Sequence, residues 1–128
     1  MIGKYILDTS IWIEIERKNP KIQKLVIPLI ESNKVVLVDL IIAELLRGVR
    51  NVDDYDKLKK ELLSFEILTS NWLDVSLLAF EVARRGHNPP LADLYIATCA
   101  LENNRILITQ DKDFLEIQKA KNFQVELI

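Results

Sequence analysis

Two stretches of this sequence restrict the fold more than any other feature. Val35-Val36-Leu37-Val38 and Ile106-Leu107-Ile108 are unbroken runs of apolar, largely β-branched residues. A strand with one wet face alternates polar and apolar side chains, so a solid run must be covered on both faces. Helical patterns fill the intervals. Residues 4–7 form a third short apolar strand, running into a helix that Thr9 or Ser10 caps and that reaches about Arg17. Asn19-Pro20 opens a second helix to about Asn33, in which Pro28 predicts a kink or a split. Asp39 caps a helix over 40–49. Helices over about 55–64 and 71–85 flank a weak strand at 66–68, and Gly86 closes the second of them. A helix over 91–103, a short one over 111–119 and a closing strand at 123–127 complete the chain. Strands alternating with helices predict an α/β fold, a three-layer α/β/α sandwich around a mostly parallel sheet. At 128 residues the chain makes one domain, spanning residues 1–128.

Composition removes several chemistries. His87 and Cys99 are the only residues of their types, so paired-imidazole catalysis, disulfides and Cys/His zinc sites are all out of reach. No G-x-S-x-G, Walker or G-x-G-x-x-G motif occurs, which argues against acyl hydrolase, P-loop and dinucleotide-binding readings. Asp8 interrupts the start before a signal peptide could form, and no apolar run approaches the roughly 20 residues of a membrane helix. A reduced, cytoplasmic setting without membrane partners is the expectation. With 17 Lys+Arg against 19 Asp+Glu the net charge is −2, so any nucleic-acid role must rest on local patches or bound metal.

The acids are placed where chemistry is done in such folds. Ligands of open parallel sheets bind beyond the carboxyl ends of the strands. Asp8 directly follows the first strand. Asp111 and Asp113 follow the strand ending at Thr109. Glu44 interrupts the apolar run Leu40-Ile-Ile-Ala-Glu-Leu-Leu. Asp93 shares a helix face with Ile96, Ala97 and Ala100, whose small side chains allow close approach to a sheet. Each has a plain structural reading. Asp8 and Asp111 could be helix caps, Glu44 could sit on a solvated stripe with Arg47, and Asp93 could be a first-turn acid favoured by the helix dipole. Taken together, Asp8, Glu44, Asp93 and Asp111 fit one site better than unrelated roles. Oxygen ligands without His or Cys select hard cations, Mg²⁺ or Mn²⁺. Such clusters suit phosphodiester cleavage, where a cation activates water and neutralises charge developing on the phosphoryl oxygens.

Tyr5-Ile-Leu-Asp-Thr-Ser, Ala43-Glu-Leu-Leu-Arg-Gly, Leu91-Ala-Asp-Leu-Tyr-Ile-Ala and Ile108-Thr-Gln-Asp-Lys-Asp-Phe occur in this order across essentially the whole chain. In these motifs it resembles the PIN-domain ribonucleases, specifically the VapC-type toxins of toxin–antitoxin pairs. The resemblance implies a PIN-like α/β/α sandwich and a Mg²⁺- or Mn²⁺-dependent endoribonuclease acting on RNA. It further implies a homodimer and a VapB-like antitoxin whose tail fills the active-site groove. Carried over by position, Asp8 and Asp93 are the principal metal ligands, and Glu44 and Asp111 complete the site, with Asp113 the alternative to Asp111. Thr9, Ser10 and Thr109 match the family's hydroxyl partners. Asp39 stands where the family usually has Ser or Thr.

Arg47, one helical turn beyond Glu44, is the basic residue best placed to meet RNA phosphate, or else to pair with an acid of the free enzyme. Trp12 and Trp72 read as packing or interface residues, His87 as an exposed loop residue and Cys99 as a small core side chain. Two other functions compete. A receiver-like phospho-signalling module has similar length, but no Lys directly follows the strand ending at Thr109. A non-catalytic, antitoxin-binding PIN protein would use the same acids structurally.

Overall fold

The computed structural model describes residues 4–128. In chain order the elements are β1 (Tyr5–Leu7), α1 (Thr9–Glu16), α2 (Pro20–Glu31), β2 (Val35–Val38), α3 (Asp39–Arg47) and α4 (Val52–Leu62). Then come β3 (Ile67–Leu68), α5 (Trp72–Arg84), α6 (Leu91–Asn103), β4 (Ile106–Thr109), α7 (Asp113–Ala120) and β5 (Val125–Leu127). The five strands form one sheet in the order β3-β2-β1-β4-β5, and every pairing is parallel. Tyr5 lies opposite Val35 on one side and Ile106 on the other, so β1 is the central strand. The chain winds outward from β1 to β3, then returns across the sheet to add β4 and β5. That reversal places a topological switch point between β1 and β4, where open α/β sheets leave a crevice beyond their strand ends.

β2 and β4 are buried at every residue, as their solid apolar runs predict. Side chains alternate across the sheet. Ile6, Val36 and Leu107 pack against α3, α5, α6 and α7 through Ile41, Val82, Ile96 and Phe114. Leu7, Val35 and Ile108 pack against α1 and α2 through Ile11, Ile22 and Val26. Helices thus cover both faces, giving the three-layer α/β/α sandwich.

Several element ends differ from expectation, each for a local reason. α1 begins at Thr9 because Asp8 itself is the N-cap, and its Oδ1 accepts the Thr9 amide at 2.8 Å. Neither Thr9 nor Ser10 is the cap. α2 runs unbroken through Pro28. A proline so near the helix end deprives only the Lys24 carbonyl of its amide partner, and Lys24 is exposed to water. Asp39 is the first residue of α3 rather than a cap before it. Its Oδ1 accepts the Leu40 amide, while its Oδ2 accepts the Tyr95 hydroxyl at 3.1 Å, tying α3 to α6. α4 starts early, at Val52, because Asn51 Oδ1 accepts the Asp54 amide at 2.8 Å. α7 starts late, at Asp113, because Asp111 is used in the preceding turn. Gly86, at φ +90°, follows α5 in the left-handed region that glycine tolerates best. No helix among the described residues is long and apolar enough to cross a membrane.

Candidate functional site

Leu7 lies opposite Ile108 in the β1–β4 ladder, so the residues that follow both strands leave the sheet at one edge. Asp8 follows Leu7, and Asp111 lies just beyond Thr109. The first turn of α6 adds Asp93, the middle of α3 adds Glu44, and the start of α7 adds Asp113. α6 can lie close to the sheet because Ile96, Ala97 and Ala100, which follow Asp93 at helical spacing, are buried.

Hydrogen bonds fix these carboxylates individually. Asp8 is only 7% exposed. Its Oδ1 accepts the Thr9 amide and its Oδ2 accepts the Thr109 hydroxyl, each at 2.8 Å. Thr109 is fully buried, and its Oγ1 also accepts the Asp111 amide at 3.0 Å. One hydroxyl therefore joins two acidic segments. Asp111 Oδ1 accepts the Asp113 amide at 2.9 Å, shaping the turn into α7. On the other side, Thr9 Oγ1 donates to Glu44 Oε1 at 2.8 Å and so links α1 to α3. Asp93, Asp111 and Asp113 each direct a carboxylate oxygen to within 4.8 Å of the other two.

The electrostatics follow from that crowding. Burial raises the Asp93 carboxyl from 3.8 to about 7, with added repulsion from Asp111, Asp8, Asp113 and Glu44. Asp8 is raised as well, chiefly by burial, although hydrogen bonds from Thr109 and Thr9 oppose the shift and Asp111 and Glu44 add to it. No ion pair among the described residues involves any of these five acids.

The residues present fit a divalent cation. All donors are hard oxygens, the charge is of one sign, and the Asp93–Asp111–Asp113 spacing is near the span of opposite ligands at about 2.1 Å from Mg²⁺. Ser10 Oγ, in the first turn of α1, is buried without a hydrogen-bond partner among the described residues, leaving it free for a water of such a site.

The structure brings together every acid singled out in the sequence. It does not separate Asp111 from Asp113, since both approach Asp93. Thr9 and Thr109 hold carboxylates, whereas Ser10 holds none. Arg47 is exposed and makes no ion pair among the described residues, with Glu44 or otherwise. His87 is not a solitary loop residue, because its Nε2 meets Glu116 Oε2 at 2.8 Å. Cys99 is fully buried. Trp12 is half-buried, donating to the Leu7 carbonyl and meeting Phe65 edge to face. Trp72 is mostly exposed and lies over Tyr95, their ring centroids 5.0 Å apart. Tyr95 went unremarked in the sequence. Its hydroxyl meets Asp39 and both the amide and carbonyl of Ser70. Its position two residues after Asp93 was the available signal. A hollow of about 350 Å³ at Asp56, Lys59, Lys60, Leu63 and Ser64 on and after α4 has no comparable gathering of ligands.

A family model described as PIN domain matches residues 5–120. No curated protein matches the sequence significantly. Among solved structures, the chain is similar to VapBC-1 from nontypeable Haemophilus influenzae, at 26% identity and TM-score 0.72, covering 99% of this chain and 98% of that one. It is also similar to VapBC2 from Rickettsia felis bound to a promoter DNA fragment, at 24% identity and TM-score 0.76, with coverage of 99% and 98%. The VapBC-5 toxin–antitoxin member from Mycobacterium tuberculosis has 23% identity and TM-score 0.65, also covering 99% and 98%.

Proposed function

The chain belongs to the PIN domain family, and from that premise we propose that it is a Mg²⁺- or Mn²⁺-dependent endoribonuclease, the VapC-type toxin of a toxin–antitoxin pair. The observation that supports this most is the convergence of Asp93, Asp111 and Asp113 beside Asp8 and Glu44 at the sheet's switch point. Asp8, Glu44, Asp93 and Asp111 hold the metal, with Asp113 beside Asp111. A bound Mg²⁺ or Mn²⁺ supplies water activation and neutralises charge on the phosphoryl oxygens. Thr109 and Thr9 orient Asp8 and Glu44, and Ser10 offers a free hydroxyl to ordered water. Arg47 meets RNA phosphate near the site.

Similarity to VapBC complexes supports a VapB-like antitoxin as partner. The reading includes one PIN domain over residues 1–128, a homodimer and a cytoplasmic setting. A receiver-like role fits less well, because flavodoxin-like receivers order their strands 2-1-3-4-5 and this sheet runs 3-2-1-4-5. The test is RNA cleavage by the purified chain with Mg²⁺ or Mn²⁺, with EDTA, and with the Asp93→Asn variant. Metal-dependent cutting lost in both controls is expected. Full cutting by the variant would overturn the mechanism, and metal binding without cutting would favour the non-catalytic alternative.

A further inference from the structure

α5 is apolar on two opposite faces. Val75, Leu78 and Val82 are buried against the core. On the opposite side Leu73, Leu77 and Phe80 recur at helical spacing and are 82%, 57% and 57% exposed, with Trp72 beside them at 55%. A helix that faces water on one side carries polar residues there, and one that is apolar all round is normally covered. Contiguous exposed apolar stripes of this kind mark interaction sites.

The charges at the stripe's ends indicate what covers it. Asp74 lies at the amino-terminal end, and Arg84, whose guanidinium sits 5.4 Å over the Phe80 ring, lies at the carboxyl-terminal end. Both are exposed, and neither makes an ion pair among the described residues. A helix with an acid at one end of an apolar stripe and a base at the other is complementary to itself when reversed. We propose that this face of α5 receives α5 of a second copy, antiparallel, about a two-fold axis. Leu77 of each copy then faces Phe80 of the other, Leu73 lies along the stem of Arg84, and Arg84 comes within reach of Asp74. Such self-complementarity is what an isologous dimer requires, and an apolar centre with a charged rim is the usual interface anatomy. A net charge of −2 leaves little repulsion between copies.

The interface connects to the candidate site. Trp72 lies over Tyr95 on α6, and the Tyr95 hydroxyl is bonded to Asp39 at the start of α3. Those helices carry Asp93 and Glu44. A second copy covering Trp72 therefore buttresses both.

The proposal deepens the homodimer part of the reading above by naming its surface, and it is tested without metal or RNA. Sedimentation velocity of the purified chain should show a dimer at micromolar concentration. Leu77→Glu and Phe80→Glu, both on the exposed face, should each weaken association at least tenfold, with melting curves showing that the fold survives. Arg84→Glu should weaken it, and Asp74→Arg with Arg84→Glu should restore it. A wild-type monomer up to about 0.1 mM, or a dimer indifferent to Leu77→Glu, overturns the proposal. So does protection of α5 from hydrogen exchange only when the antitoxin is co-expressed, which assigns the face to that partner. None of these outcomes touches nuclease activity, so failure here leaves the functional reading standing.

Discussion

The Thr109 hydroxyl donates to Asp8 Oδ2 at 2.8 Å across 101 positions of sequence. It is buried and bifunctional, because the same oxygen accepts the Asp111 amide. A single side chain therefore sets the distance between the acid after β1 and the acidic turn after β4. Partners that orient ligand carboxylates in this way influence a metal site nearly as much as the ligands do.

Thr109→Val keeps the shape and removes both hydrogen bonds. Mn²⁺ affinity or RNA cleavage should fall about 10–100-fold, and stability by about 1–3 kcal/mol because the Asp111 amide loses its acceptor. Thr109→Ser should recover most of both. Calorimetric titration with Mn²⁺ and urea unfolding read the two effects separately. Unchanged affinity in the valine variant would show that Asp8 is positioned by other contacts.

Asp93 gives the metal-free protein a pH dependence whose sign is opposite to that of a salt-bridged acid. Its carboxyl is raised from 3.8 to about 7, so the native state holds a proton that the unfolded chain has lost. Stability from this group is therefore full below about pH 4 and declines as pH rises to about 7. Because the carboxyl retains some contact with solvent, the loss should be on the order of 1–2 kcal/mol rather than the full value of the shift. Thermal melts in EDTA should show the melting temperature falling from pH 5 to pH 8. Asp93→Asn should flatten that slope and stabilise the protein at pH 8. An equally steep slope in the variant would locate the effect elsewhere.

Divalent cation should stabilise the fold most where the acids are most ionised. At about a hundred times its dissociation constant, Mg²⁺ or Mn²⁺ should add about 2.7 kcal/mol. The rise in melting temperature should be larger at pH 8 than at pH 6, because protons compete for Asp93, and EDTA should reverse it. A shift independent of pH would point to cation bound away from Asp93.

Phe114 anchors α7, which begins at Asp113. It is fully buried in the core between α7 and the sheet. Phe114→Ala should cost about 3–5 kcal/mol in urea unfolding. Hydrogen exchange in α7 should quicken more than in α2, which belongs to the opposite layer. Uniform quickening would mean that the protein opens only as a whole.

The layers of the fold were legible because the strands β2 and β4 are apolar at every position, a pattern that only a doubly covered sheet explains. The meeting of Asp8 with Asp111 was legible for a related reason, since each lies just after a strand of a parallel sheet. Glu44 and Asp93 stood out against apolar neighbours. What local pattern does not carry is the partner chosen at long range. Asp39 looked like a helix cap, yet its second oxygen is taken by Tyr95, 56 positions away. His87 looked free beside its prolines until Glu116 proved to lie against it. The turn at Asp111 moved the start of α7 by two residues, because an Asx-type bond from the Asp113 amide competes with helix formation there.

The central place of β1 bears on how the protein comes into being. A strand made early in translation finds β2 within about thirty residues, but its other edge stays open until β4 has been made. Contacts of such long range close late, because the entropy of a long loop must be overcome before any pairing compensates for it. The acids stay apart until the chain is nearly whole. A nascent or truncated chain lacking β4 therefore holds Asp8 without its counterparts, and whatever chemistry the cluster performs begins only when synthesis is almost done.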